Sequence, residues 1–298
     1  SSIPPVDFGR RLKYLIDYPH GCVEQVTSAA FPQLFLSTVM ETDAALRSKT
    51  EQNIREALRL LGRYQLPSGA MGYWPGASEA SDWGTSYAGH FILEAEAKGY
   101  SLPLGLKDSW IRYQRNAARN FNPSAANTRY GENAQNDLLQ AYRLYTLALS
   151  KAPEMGAMNR LRESGSLSLQ ARWRLAAAYA LAGQAEAANR LIEQAGTAFG
   201  QYSPFNRSYG SPERDQAMIV ETLVLLNRRN DAVPLIRRLS EVLTSQRWLS
   251  TQTTAYCLMA ISKFAGEQAA GKDLSYAFQI NNAREEKKTS QLPVNQID

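Results

Sequence analysis

Apolar residues recur along the chain at helical spacing, and two kinds of helix take turns. Phe8, Leu12, Leu15 and Ile16 fall at i, i+4, i+7 and i+8, a single apolar stripe on an otherwise charged segment. The next segment, Cys22 to Met40, is apolar nearly all round. Ile54, Ala57, Leu58 and Leu61 make a stripe again, and Trp83 to Ala95 is again largely apolar. Striped Leu106 to Phe121 precedes apolar Asp137 to Leu149, and striped Glu154 to Arg162 precedes apolar Gln170 to Ala182. Striped Glu186 to Ala195 precedes apolar Gln216 to Leu226, and a stripe at Val233, Ile236, Leu239 and Leu243 precedes apolar Thr253 to Phe264.

A helix apolar on every face needs protein around it, whereas a striped helix keeps one face in water. The pattern therefore predicts about twelve helices in six hairpins, the second member of each inside and the first outside. That is an all-α fold, read as an α/α toroid of six helical hairpins. An open solenoid of helix pairs would show the same alternation, and periodicity does not decide closure. The breaks carry turn chemistry at Pro67-Ser68-Gly69, Gly99-Tyr100-Ser101, Asn122-Pro123, Lys151-Ala152-Pro153 and Gly183. At Ser211-Pro212 a serine N-cap is followed by proline at the first helical position. Thr85-Ser86-Tyr87 and Thr254-Ala255-Tyr256 each open an inner helix, a weak sign that the hairpin is the repeat.

Beyond Gly266 the period changes. Ser275, Ala277 and Gln279 alternate with Tyr276, Phe278 and Ile280, which is strand spacing, and a polar tail follows. The chain is accordingly divided into a toroid over residues 1–266 and a C-terminal extension over 267–298 that leads toward a neighbouring β domain. It starts abruptly at Ser1, with no initiator methionine or signal peptide, and reads as a piece of something longer.

Composition narrows the function. With 44% hydrophobic and 20% charged residues in 298, a large core can form and disorder is excluded. The net charge of +5 comes from 33 basic and 28 acidic residues spread along the whole length. The densest run, Arg284 to Lys288, contains two glutamates, so a nucleic-acid partner is not supported. Two cysteines and two histidines make neither a disulfide framework nor a histidine-rich metal site, and no cofactor is expected. No run approaches the ~18–20 apolar residues that cross a bilayer, so direct membrane insertion by this segment is not expected.

One segment stands apart: Tyr18-Pro19-His20-Gly21-Cys22-Val23-Glu24-Gln25. Pro19 and Gly21 make a turn, and Cys22 stands where the second, inner helix begins. Backbone N–H groups at a helix start stabilise a thiolate, which predicts a lowered thiol pKa and a better leaving group. Gln25 lies one turn on, so its carboxamide can lie beside the sulfur. A cysteine and a glutamine held this way can condense, with loss of ammonia, to an internal thioester. Cys-x-x-Gln spacing alone also fits a buried cysteine beside a solvated glutamine.

The longer run resembles the Gly-Cys-x-Glu-Gln thioester motif of the α2-macroglobulin and complement superfamily, in the form found in bacterial α2-macroglobulins. Gly72-Tyr73-Trp74-Pro75-Gly76 with Asp82-Trp83-Gly84-Thr85 resembles the family's second hairpin. Trp248 with Ser250-Thr251-Gln252-Thr253-Thr254-Ala255-Tyr256 resembles its closing inner helix. Together they span roughly residues 5–266, and the family's thioester domain is a six-hairpin α/α toroid.

The resemblance implies that Cys22 supplies the sulfur and Gln25 the acyl carbon. Tyr18, Pro19, Gly21 and Glu24 then belong to the supporting motif, with the role of Glu24 unspecified. It further implies a protease trap. Cleavage of a bait elsewhere exposes the thioester, an amine of the target protease attacks Gln25, and Cys22 leaves, tying trap to target by an amide. This is a single-use acyl transfer by an endopeptidase inhibitor, not a turnover enzyme. Neighbouring β domains of the same chain and a periplasmic, cell-surface or secreted location in bacterial defence are implied as well. Some complement-like relatives use a distant histidine. Neither His20 nor His90 matches it, so no catalytic histidine is assigned and direct attack by primary amines is expected. Cys257, inside an apolar helix, reads as an inert buried thiol that does not pair with Cys22. Tyr73, Trp74 and Trp83 are candidates for shielding the bond from water.

Two other function classes fit the helical frame. A carbohydrate-processing α/α-barrel enzyme would need paired carboxylates at the barrel mouth, where Asp82, Asp137 and Asp215 are candidates that also read as helix-start charges. A non-covalent helical-repeat scaffold would need neither Cys22 nor Gln25.

Overall fold

Helices of the two predicted kinds alternate from Phe8 to Gly266. The computed structural model describes residues 6, 8–17, 21–40, 42–122, 136–165, 167–200, 208–266, 274–278 and 286–290. The outer set is α1 (Phe8–Asp17), α3 (Ala44–Tyr64), α5 (Leu106–Asn120), α7 (Met155–Glu163), α9 (Ala185–Ile192) and α11 (Arg229–Thr244). The inner set is α2 (Val23–Ala30), α4 (Asp82–Ala97), α6 (Asn136–Leu149), α8 (Leu169–Leu181), α10 (Pro212–Leu225) and α12 (Thr251–Gly266). Outer α3 buries only Ile54, Ala57, Leu58, Leu61 and Tyr64, the predicted stripe extended by one turn. Inner α4 buries every residue from Trp83 to Leu93. Each inner helix packs on the next, and α12 returns to α2, so the ring is closed. The fold is an α/α toroid, and closure excludes the open solenoid.

Local chemistry sets the ends. Ser211 accepts from Arg214 N–H at 3.0 Å with Pro212 behind it, the predicted cap. The apolar segment from Cys22 to Met40 is not one α-helix: after Ala30 it tightens into a 3-10 segment, Phe31–Thr38. Pro32 lacks the N–H that would bond back one turn, and the chain continues with tighter bonding. Helix α9 stops at Ile192, short of the striped segment read from the sequence, where Gln194 takes a left-handed φ of 62°.

Beyond the ring, β1 (Leu274–Phe278) pairs antiparallel with β2 (Glu286–Ser290), Leu274 opposite Ser290. The sequence reading had only a polar tail after the first strand. β2, with the sequence Glu-Lys-Lys-Thr-Ser, carries no apolar alternation, and ladder pairing between backbone groups does not require any.

Outer and inner layers meet closely at Gly89 of α4. A Cβ there would lie 2.1 Å from the ring of Trp110 on α5, whose indole N–H donates to Thr85 O at 2.7 Å. Gly89→Ala should therefore lower stability by about 1–3 kcal/mol, even after the gain in helix propensity of about 1 kcal/mol. A urea midpoint at or above the wild-type value would contradict this packing.

Candidate functional site

Cys22 is the N-cap of α2, with extended backbone angles of φ −109° and ψ 163°. Its Sγ accepts from the backbone N–H of Gln25, while the Gln25 side chain reaches back to the cap. Gln25 Oε1 accepts from Gly21 N at 3.1 Å and from Cys22 N at 3.2 Å. This is a reciprocal capping box with cysteine in the place usually held by serine or threonine. It brings thiol and carboxamide together, as the spacing predicts. It also aims two N–H donors at the carboxamide oxygen, where negative charge would build up if the acyl carbon were attacked.

Electrostatics departs from expectation. The Cys22 thiol is pushed up, not down: burial, with only 1% of the residue exposed, outweighs the lowering by the Tyr73 hydroxyl and the helix-start N–H groups. The helix terminus acts in the expected sense, but loss of water is the larger effect.

Neighbours lock the turn. Tyr64 hydroxyl donates to Gly21 O at 3.1 Å, and Val23 N–H donates to Tyr73 O at 3.0 Å. A Cβ on Gly21 would lie 2.9 Å from the Trp74 ring, so the close approach of that ring requires glycine. Trp74 is 52% exposed and meets Tyr73 edge-on at 5.1 Å. On its other side Tyr73 stacks on Tyr209 at 6.0 Å. Trp83 is buried, its ring contacts being Tyr142 at 4.8 Å and the Arg214 guanidinium at 4.5 Å. Tyr209 carried no sequence signal, because the ring topology alone brings it to Tyr73. Tyr18, Pro19 and His20 lie outside the described residues.

Glu24, whose role the sequence left open, is a buried bridge. Its carboxylate accepts from Ser28 Oγ at 2.6 Å and from Thr251 Oγ1 at 3.0 and 3.1 Å, joining the first inner helix to the last. Burial raises its pKa against the pull of these two hydroxyls. Thr251→Val should leave the carboxylate short of a donor and cost about 1–3 kcal/mol. An unchanged thermal midpoint would show that the bridge does not hold the ring together.

His90 is fully buried, with Tyr142 Oη 3.1 Å from Nδ1 and Tyr145 Oη 3.3 Å from Nε2. With Glu94 and Glu221 it forms the one set of three metal-capable groups found among the described residues. Lys263 Nζ already bonds both carboxylates, Glu221 at 2.6 Å, and Arg174 takes the second Glu221 oxygen at 2.7 Å. The charge is thus balanced by the chain itself, and the geometry assigns no ion there. Cys257 is a free, buried thiol whose pKa burial raises, 3.8 Å from Glu213 O, and Cys22 is free as well. The three acids considered for a barrel enzyme are engaged: Asp82 with Arg143 at 2.8 Å, Asp137 with Ser168 N–H at 2.6 Å, and Asp215 with Arg214 at 2.7 Å.

No family model matches the chain. It is 26% identical to α2-macroglobulin of Escherichia coli K12 over 287 residues, covering 87% of this chain and 16% of that protein. It is 28% identical to α2-macroglobulin of Xylella fastidiosa Temecula1 over 85% of this chain, again 16% of that protein. The chain thus spans about one-sixth of the length of these relatives. The crystal structure of native E. coli α2-macroglobulin from domain MG7 to the C-terminus superposes on 98% of this chain and 46% of that one, with a TM-score of 0.78 at 21% identity. Salmonella α2-macroglobulin reacted with methylamine superposes with a TM-score of 0.77 at 25% identity, over 98% of this chain and 19% of that one. Sequence and fold agree: this chain is similar in sequence to bacterial α2-macroglobulins, and its fold matches that of the E. coli protein's region from domain MG7 to the C-terminus.

Proposed function

We propose that residues 1–266 form the thioester domain of a protease-trapping inhibitor and that 267–298 lead into the next domain. The observation that carries this reading is the reciprocal capping of Cys22 and Gln25. Attack of Cys22 Sγ on Gln25 Cδ forms the C–S bond and expels the carboxamide nitrogen, which takes the thiol proton and departs as ammonia. In the trapping step a primary amine attacks the same carbon. The C–S bond breaks with its electron pair going to sulfur, and the amine nitrogen loses a proton. An amide to Gln25 and a thiol at Cys22 remain. The Gly21 and Cys22 N–H groups are placed to hold the acyl oxygen as it gains charge, provided they keep their present aim.

Support comes from the relatives: Salmonella α2-macroglobulin has been reacted with methylamine, and the E. coli protein has been activated by porcine elastase and by trypsin. Target proteases are accordingly the proposed covalent partners, neighbouring β domains the proposed shield, and the periplasm or cell surface the proposed location. The chain acts once and does not turn over. Among the described residues no helix is long and apolar enough to cross a membrane. Intact mass of the freshly isolated native protein tests the reading. A mass lower than the sequence mass by one ammonia is expected, and the full mass with Cys22 freely alkylated would reject it.

A further inference from the structure

Cys22 and Gln25 differ in access. Cys22 is 1% exposed, whereas Gln25 is only part-buried, so an incoming nucleophile meets the carboxamide side of the pair and not the sulfur. The indole of Trp74 stands on that side. Its Cζ3 lies 2.9 Å, and Gln25 Oε1 3.9 Å, from the one point beside Gly21 that a Cβ would occupy. Glycine at position 21 leaves room next to the acyl group, and the aromatic ring takes it.

The ring is backed on the side away from the pair. Trp74 O accepts from Ala77 N–H at 3.2 Å, closing a tight turn through Gly76, whose φ of 76° favours glycine. Tyr73, the residue before it, is tied to the start of α2 by its carbonyl, which takes the Val23 N–H at 3.0 Å. The Tyr73 ring meets Trp74 edge-on at 5.1 Å and stacks on Tyr209 at 6.0 Å. Tyr209 adopts a left-handed φ of 51°, a strained choice for an aromatic residue. Ser208 before it is gripped by buried Arg214, through its carbonyl at 3.0 Å and its hydroxyl at 3.1 Å. Three rings in contact thus hold the indole in place, and it still keeps 52% of its surface open.

We propose that Trp74 is a specificity-determining residue of the acyl transfer, its open indole face taking the methylene stem of a lysine side chain whose nitrogen attacks Gln25. This rests on the thioester reading above and leaves its bond changes as written. Lysine carries its nitrogen on a flexible four-carbon stem, which lies along apolar surface while the polar end stays free. Before it gives its proton to water, the ammonium is also attracted to an indole face, the best of the aromatic rings for a cation. Serine and threonine hold their oxygen on Cβ, a reach too short to lie on the ring and meet Gln25 together. Contact with the stem during attack lowers the barrier for lysine and does nothing for methylamine.

The test compares wild type, Trp74→Ala and Trp74→Leu, each checked for unchanged helicity, with methylamine and Nα-acetyl-lysine amide as probes. The readout is the ratio of the second-order rate constants for Cys22 thiol release, lysine probe over methylamine. The two roles of the ring give opposite signs. Loss of a mere cover would admit the larger probe more easily and raise the ratio, whereas loss of a stem contact lowers it. Trp74→Ala should lower it about ten-fold, the worth of about two buried methylenes. Trp74→Leu, which keeps an apolar side chain but no flat face, should lower it less. An unmoved or raised ratio in Trp74→Ala overturns the proposal and leaves Trp74 as a cover. If Trp74→Ala does not fold, the same result in Trp74→Leu overturns it. No thiol release from wild type by either probe would instead reject the thioester reading, and this proposal with it.

Discussion

Cys22→Ser and Gln25→Glu should each abolish methylamine coupling while leaving the helical ring intact. Serine and glutamate keep the reciprocal capping of α2, since a hydroxyl accepts from the N3 N–H and a carboxylate accepts from the cap N–H. Neither can give the thioester: serine lacks the sulfur, and glutamate has no ammonia to lose. Cys22→Ala and Gln25→Ala should also lose coupling, but with about 0.5–2 kcal/mol of cap stabilisation removed as well. The conservative pair therefore separates chemistry from folding. Coupling retained in Cys22→Ser at the wild-type level would remove Cys22 from the reaction.

Glu221→Gln should produce the largest loss of stability in the molecule, about 3–5 kcal/mol, because it breaks a buried ion network by removing one partner. Glu221 is 1% exposed and bonds Arg174 at 2.7 Å and Lys263 at 2.6 Å. Lys263 also pairs with Glu94. Without the Glu221 charge, two cations in the ring interior share one carboxylate, and the Arg174 guanidinium is left facing the Tyr145 ring at 4.3 Å. Burial alone would raise both carboxyl groups. Lys263 overcomes it at each site, with His90 at Glu94 and Arg174 at Glu221, holding Glu94 at about 2 and Glu221 well below the ordinary range. A folded pKa depressed in this way contributes stability that is present above the unfolded carboxylate value of about 4.3 and is lost as pH falls toward the folded value. Wild type should thus lose stability steeply between about pH 4 and 2, and Glu221→Gln should show a shallower acid limb. Equal urea midpoints for the two proteins at pH 7 would contradict the network.

The toroid was legible because its two layers impose different polarity on alternate helices, and burial of α4 on all faces against one stripe on α3 follows that rule. Closure was not legible, since the contact of α12 with α2 depends on the small turn made at each hairpin, which leaves no mark on periodicity. The internal similarity proved structural: Thr85 and Thr254 are each the fourth residue of their helices, and Tyr87 and Tyr256, two positions on, stack at 5.3 Å. Strand β2 was missed because its side chains are polar and backbone pairing does not require apolar ones. At the site, Cys22 and Gln25 were legible from spacing and resemblance, since one helical turn brings them together. The sign of the thiol shift was not, because it depends on how deeply the folded chain buries the sulfur. Nor was the function of Glu24, whose partner Thr251 lies at the far end of the chain.

The central claim is that Cys22 and Gln25 are joined before any amine arrives. Site-resolved peptide mass spectrometry of the native protein, before and after methylamine, tests it most directly. The account predicts no alkylatable thiol at Cys22 beforehand, and afterwards a methylamide on Gln25 with an equal yield of free Cys22 thiol. A freely alkylated Cys22 before treatment, with Gln25 unmodified by methylamine, would contradict it.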